Sequence, residues 1–116
     1  MKAKGNLIVD LTFEFALGIV EITGKLESQK KFAIANQLCK SGTSVGANVR
    51  EAQSSESRND FIHKMKIASK EAEETEYWLL LCKHSDLLPD PGILFEKIKT
   101  IQRILTSIIT TAKSRQ

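Results

Sequence analysis

Apolar or small residues recur at Phe61, Met65, Ala68, Ala72, Thr75, Leu79 and Cys82, and again at Leu94, Ile98, Ile101, Leu105, Ile108 and Ala112. Steps of four and three put each set on one stripe of an α-helix. Two earlier stripes follow the same period: Ile8, Leu11, Phe15, Ile19, Ile22, Leu26, then Ile34, Leu38, Ser41, Val45, Asn48, Ala52. The spacing predicts four helices, over about 7–26, 29–54, 58–84 and 91–112, with no strand and no internal repeat. Connections this short make consecutive helices antiparallel. The expected fold is all-α, an up-down-up-down four-helix bundle in which residues 1–116 form a single domain.

Punctuation between the stripes sharpens this reading. Asn6 is placed to cap the first helix and Ser28 the second. Ser57 with Asp60 resembles a capping box with Asp in place of Glu. Pro89 ends what precedes it, and Asp90 with Pro91 at the first helical position opens the fourth helix. Phe13, Leu17 and Val20 widen the first stripe, which points to more than one neighbour. Tyr77, Trp78, Leu79, Leu80, Leu81 and Cys82 are apolar nearly all round, so that end must be covered on several sides, by the bundle or by another subunit.

The second helix is unusual. Its interior, Ser41-Gly42-Thr43-Ser44-Val45-Gly46-Ala47, holds two glycines, each costing about 1 kcal/mol against alanine. Gly42 and Gly46, four apart, imply close approach of another helix; a kink is the competing explanation. Asn48 falls in an apolar stripe, where an amide needs a hydrogen-bonding partner. Arg50 and Glu51 follow it, and Glu71 and Glu74 of the third helix are placed to meet them in a structural polar network.

Composition excludes several classes. The chain is 41% hydrophobic and 27% charged, which suits a folded globular domain. No apolar run approaches the ~20 residues of a membrane helix, and Asp10 and Glu14 interrupt any signal-peptide core, so a cytoplasmic protein with no membrane partner is expected. Cys39 and Cys82 form no CxxC pair and read as reduced core cysteines, with a disulfide between them as the alternative. No phosphate-binding GK[ST] loop, GxSxG elbow or Glu-x-x-His pair occurs. His63 reads as a solvated surface residue, and His84 as a helix-end residue favoured by the dipole. No catalytic residue, cofactor or metal ligand is assigned, and the chain is expected not to be an enzyme.

The net charge of +3 is small, but it is unevenly spread. The segment 29–54 carries +3 and 91–116 carries +4, whereas Glu71, Glu73, Glu74 and Glu76 form an acidic cluster. Opposite charges on separate faces suit head-to-tail self-association or an acidic partner, although ordinary solvated helix faces give the same pattern.

The run from Gln37 to Ala52, containing Ser41-Gly42-Thr43-Ser44-Val45-Gly46-Ala47-Asn48-Val49-Arg50-Glu51, closely resembles the signature of the bacterial four-helix-bundle proteins linked to intervening sequences in 23S ribosomal RNA genes. The match continues through Ser57, Asp60 and Phe61, then from Lys66 through Glu71, Glu74 and Trp78 to Leu79. Many members carry proline where this chain has Gly46. The resemblance implies a left-handed bundle and a cyclic homo-oligomer, with a pentamer favoured. The family is also similar to the accessory variability determinant of diversity-generating retroelements, a basic pentamer that contacts nucleic acid and a reverse transcriptase. An RNA or DNA partner is therefore expected, held at backbone phosphates by Lys30, Lys31, Lys40, Lys97, Lys99, Arg103, Lys113 and Arg115. The alternative is a protein-interaction scaffold or accessory subunit without nucleic acid, using the Tyr77–Cys82 end and the acidic cluster.

Overall fold

The computed structural model describes residues 6–115, which form four helices: α1 (Leu7–Ser28), α2 (Phe32–Ala52), α3 (Arg58–His84) and α4 (Leu94–Ser114). α1 packs on α2 and α4, and α3 packs on the same two; α1 and α3 lie across the diagonal, their backbones not in close approach. This is the up-down-up-down bundle that short connections dictate, drawn out to 47 × 26 × 21 Å. Among the described residues, no helix is long and apolar enough to cross a membrane.

The stripes bury as their period requires, with informative exceptions. α3 buries Met65, Ala68, Ala72, Thr75, Leu79 and Cys82, and α4 buries Leu94, Ile98, Ile101 and Leu105. Full burial of an aliphatic side chain of this size contributes about 1.5–3 kcal/mol. In α2 the buried line runs through Ala35, Leu38, Ser41, Gly42, Val45, Val49 and Ala52. Asn48 is therefore not in the core. One residue turns a helix by about 100°, so Val49 takes the inward position and Asn48 stands half-buried beside it. In α1, Thr12 replaces Leu11 in the buried line; its hydroxyl donates to the Ile8 carbonyl at 2.8 Å, which satisfies it within its own helix.

The helix ends correct several expected caps. α1 closes through a Schellman pair, Lys31 N–H to the Leu26 carbonyl and Lys30 N–H to the Glu27 carbonyl, both 2.9 Å. Lys30 holds the left-handed position at φ 62°, so α2 cannot begin before Lys31. Ser28 consequently caps nothing: it ends α1 and donates to the Lys25 carbonyl at 2.7 Å. Asn6 flanks α1 but its amide donates to Gln53 Oε1 at 3.1 Å, tying α1 to the end of α2. Ser57 does cap α3, its hydroxyl accepting from Asp60 N–H at 3.0 Å. Asp90 instead accepts from Gly92 N–H at 2.9 Å in a tight turn, and Gly92 at φ 57° delays α4 until Leu94.

Close approach accounts for the two glycines. α2 runs unbroken through both. A Cβ on Gly42 would stand 2.8–2.9 Å from three carbons of Ile19, and one on Gly46 would stand 3.2 Å from the Thr12 carbonyl oxygen. The glycine seam therefore seats α1 of the same chain. At the other edge of α1, Gly18 admits Leu94 of α4, whose Cδ2 would be 2.6 Å from an added Cβ.

Candidate nucleic-acid interface

The antiparallel α3–α4 pair brings the start of α3 beside the end of α4. Arg58, in the first turn of α3, and Arg115, just past α4, line one cavity of about 520 Å³. Its apolar wall includes Phe61, Ile108 and Ala112, the terminal members of their stripes, each only half-buried. Just over two turns along α3 from Arg58, Lys66 neighbours Lys113 of α4. The neighbouring Lys113 ammonium, a donor with no acceptor to offer and a like charge, holds the Lys66 amine below the usual lysine range. Four cations thus gather at this end of the bundle, and no carboxylate lines the cavity. Lys113 in the last turn of α4 complements that helix's negative end. Arg58 sits at the positive end of α3, where a cation is disfavoured, so helix stability does not explain it.

The other expected contacts are distributed differently. Lys30 and Lys31 lie at the opposite end of the bundle, at the α1–α2 turn, and Lys40 is exposed along α2. Lys97 borders an α1–α4 crevice with Glu14. Arg103 donates to Thr100 Oγ1 at 3.2 Å on the exposed face of α4. Lys99 is engaged inside the chain: its Nζ is 3.3 Å from Glu76 and 4.9 Å above the Phe95 ring. Gln102 donates to the other Glu76 oxygen at 3.0 Å. That hydrogen bond, with Lys99 adding and burial opposing, keeps the Glu76 carboxyl below the usual glutamate range. The eight cations therefore occupy several faces; of them only Arg115 lines the cavity, and Lys113 lies beside Lys66 near it.

Sequence reasoning missed Arg58 and Lys66, because the segment holding them balances to zero overall. The signal was order within α3: Arg58, Lys64, Lys66 and Lys70 come first, and Glu71, Glu73, Glu74 and Glu76 follow.

The expected polar network does not form as drawn. Asn48 donates to the Ser44 carbonyl at 2.8 Å within α2. Arg50 turns toward α1, lining a groove with Val9, Thr12 and Phe13. Glu51 pairs with Lys64 at 3.7 Å, and Glu74 accepts from Trp78 Nε1 at 3.2 Å. Glu71 supplies only its carbonyl, which accepts from the Thr75 hydroxyl at 2.7 Å. The buried α2–α3 polar contact is instead Ser41 with Thr75, their hydroxyls 3.0 Å apart. Adjacent charges on a helix point about 100° apart, so Arg50 and Glu51 serve different neighbours. Cys39 and Cys82 are free thiols; burial, with the Asp90 charge adding, pushes the Cys82 thiol up and leaves it a poor nucleophile.

The family profile described as 23S rRNA-intervening sequence protein matches residues 4–107. The chain belongs to that family. A crystal structure of a protein of unknown function from the S23 ribosomal protein family of Bacteroides thetaiotaomicron is similar to it, with a TM-score of 0.83 at 42% identity. The similarity covers 88% of this chain and 97% of that one. No curated protein matches the chain. The 23S rRNA-intervening sequence family match spans α1, α2, α3 and most of α4, so the Ser41–Ala47 seam and the Arg58 end of α3 lie within it.

Proposed function

We propose that this protein is a non-enzymatic homo-oligomer that binds nucleic acid through phosphate contacts. The observation that carries the reading is the gathering of cations at one end of the α3–α4 seam, where Arg58 and Arg115 line one cavity and Lys66 and Lys113 stand side by side. A polyanion complements such a cluster, and phosphate contacts of this kind release counterions. Assembly multiplies the charge: five copies at +3 carry about +15.

Two exposed apolar faces favour assembly. Phe13, Leu17 and Val20 of α1 are each more than half exposed, and so is Tyr77 of α3, with Leu80 beside it. Because α1 and α3 lie on the diagonal, one face is free to meet the other on a sister chain. Such a heterologous contact closes into a ring, and the pentamer is the favoured size. The same faces support the second reading, a scaffold that contacts a protein partner without nucleic acid.

Fluorescence anisotropy with a labelled structured RNA and its DNA counterpart, at a series of salt concentrations, tests the reading. Binding is expected to weaken steeply with salt, and Lys113→Glu is expected to weaken it and to lower the salt slope by about 1 per lost phosphate contact. Absence of binding at low salt, or binding indifferent to salt, sinks it.

A further inference from the structure

Phe61, Ile108 and Ala112 belong by spacing to the core stripes of α3 and α4; Phe61 and Ile108 pack against the core on one side, and all three border an open cavity on the other. Its volume, about 520 Å³, lies within the ordinary range of small-molecule sites. Two hydroxyls, Ser107 and Thr111, complete the lining. Some helix hydroxyls of this chain are used internally, Thr43, Ser44, Thr75 and Thr100 each donating to the carbonyl four residues back, whereas the Thr23 hydroxyl finds no partner. Among the described residues, the Ser107 and Thr111 side chains have no such partner and are free to bond a ligand.

From this geometry we infer that the cavity receives the base of one unpaired nucleotide, with its phosphates on Arg58 and Arg115. The inference rests on the nucleic-acid reading above and deepens it. An apolar wall containing an aromatic ring suits a flat base, because every base presents a stacking face. The two hydroxyls suit its polar edge. Guanidinium groups bind phosphate oxygens in a fork and also stack on rings, so the rim matches the charged part of the same ligand. A fully paired duplex cannot enter, since its bases are stacked inside it. The chain should therefore prefer a bulge, loop or single-stranded end to an uninterrupted helix.

The test uses the full chain and three labelled hairpins: fully paired, the same stem with one bulged nucleotide, and that bulge made abasic, each as RNA and as DNA. Anisotropy at fixed salt is expected to show the bulged form binding roughly 10-fold tighter than the other two, the size of one stacked base. Comparing the RNA and DNA arms identifies the source of the nucleotide. Ala112→Leu, which projects three more carbons from the apolar wall into the place a base would occupy while leaving all four cations in place, is expected to abolish the difference and to keep binding of the paired hairpin. A circular dichroism melt of this variant and of the milder Ala112→Val confirms that each is folded. Equal affinity for all three hairpins overturns the pocket and leaves the phosphate reading standing, whereas no binding of any hairpin overturns both. A preference that survives Ala112→Leu in a folded protein, or displacement of the bulged hairpin by an acidic peptide but not by a mononucleotide, also overturns it.

Discussion

Lys30 carries more information than its place in a turn suggests. It occupies the left-handed position of a Schellman motif, at φ 62°, where glycine is usual because a Cβ there is strained. That geometry ends α1 and fixes where α2 begins. Lys30→Gly is expected to raise stability by about 1 kcal/mol, read as a higher urea midpoint at unchanged slope. An unchanged or lower midpoint would mean that the side chain offsets the strain through contacts of its own. Ser41 and Thr75 show a related economy: small hydroxyls satisfy each other inside the α2–α3 interface, where longer polar side chains would not fit.

At the scale of elements, α2 gives up helix propensity to let α1 approach. Gly42 faces Ile19, a fully buried side chain with branched carbons on the contact, so an added methyl group has nowhere to go. Gly42→Ala is expected to destabilise the protein by about 1–3 kcal/mol in spite of its better propensity. Gly24, in the exposed part of α1, has nothing within 4 Å of an added Cβ. Gly24→Ala is expected to stabilise by up to about 1 kcal/mol. Chemical denaturation of the two variants separates packing from propensity, and the same sign for both would contradict the seam. Along α3, the basic half precedes the acidic half, so the helix presents Lys66 to the end of α4 and Glu76 to Lys99 and Gln102 nearer its start.

At the scale of the molecule, the diagonal placement of the two exposed apolar faces gives assembly a direction. Leu17→Glu spoils the α1 face and Tyr77→Glu the α3 face, yet each variant keeps one face intact. Each alone is expected to run near the 13.0 kDa of a single chain in light scattering. Mixed in equal amounts, they are expected to form a two-chain species of about 26 kDa, because one good interface remains between unlike partners. A mixture that stays at single-chain mass would show that the two faces do not meet each other. The unaltered protein is expected near 65 kDa if the ring holds about five copies.

The order of apolar and polar residues determined four helices, their antiparallel sequence and most of the core. Those follow from a 3.6-residue period that is a property of every helix. The Ser57 cap and the need for close approach at Gly42 and Gly46 were likewise local facts. Which neighbour filled the glycine seam, which side of Asn48 faced inward, and where α4 began depended on rotations of one residue and on the left-handed turns at Lys30 and Gly92. The cationic cavity is the clearest product of tertiary structure. Arg58 and Arg115 are separated by most of α3 and all of α4, and only antiparallel pairing sets them around one opening. Charge is counted along the chain, but its field is summed in space, and the fold alone decides which charges add.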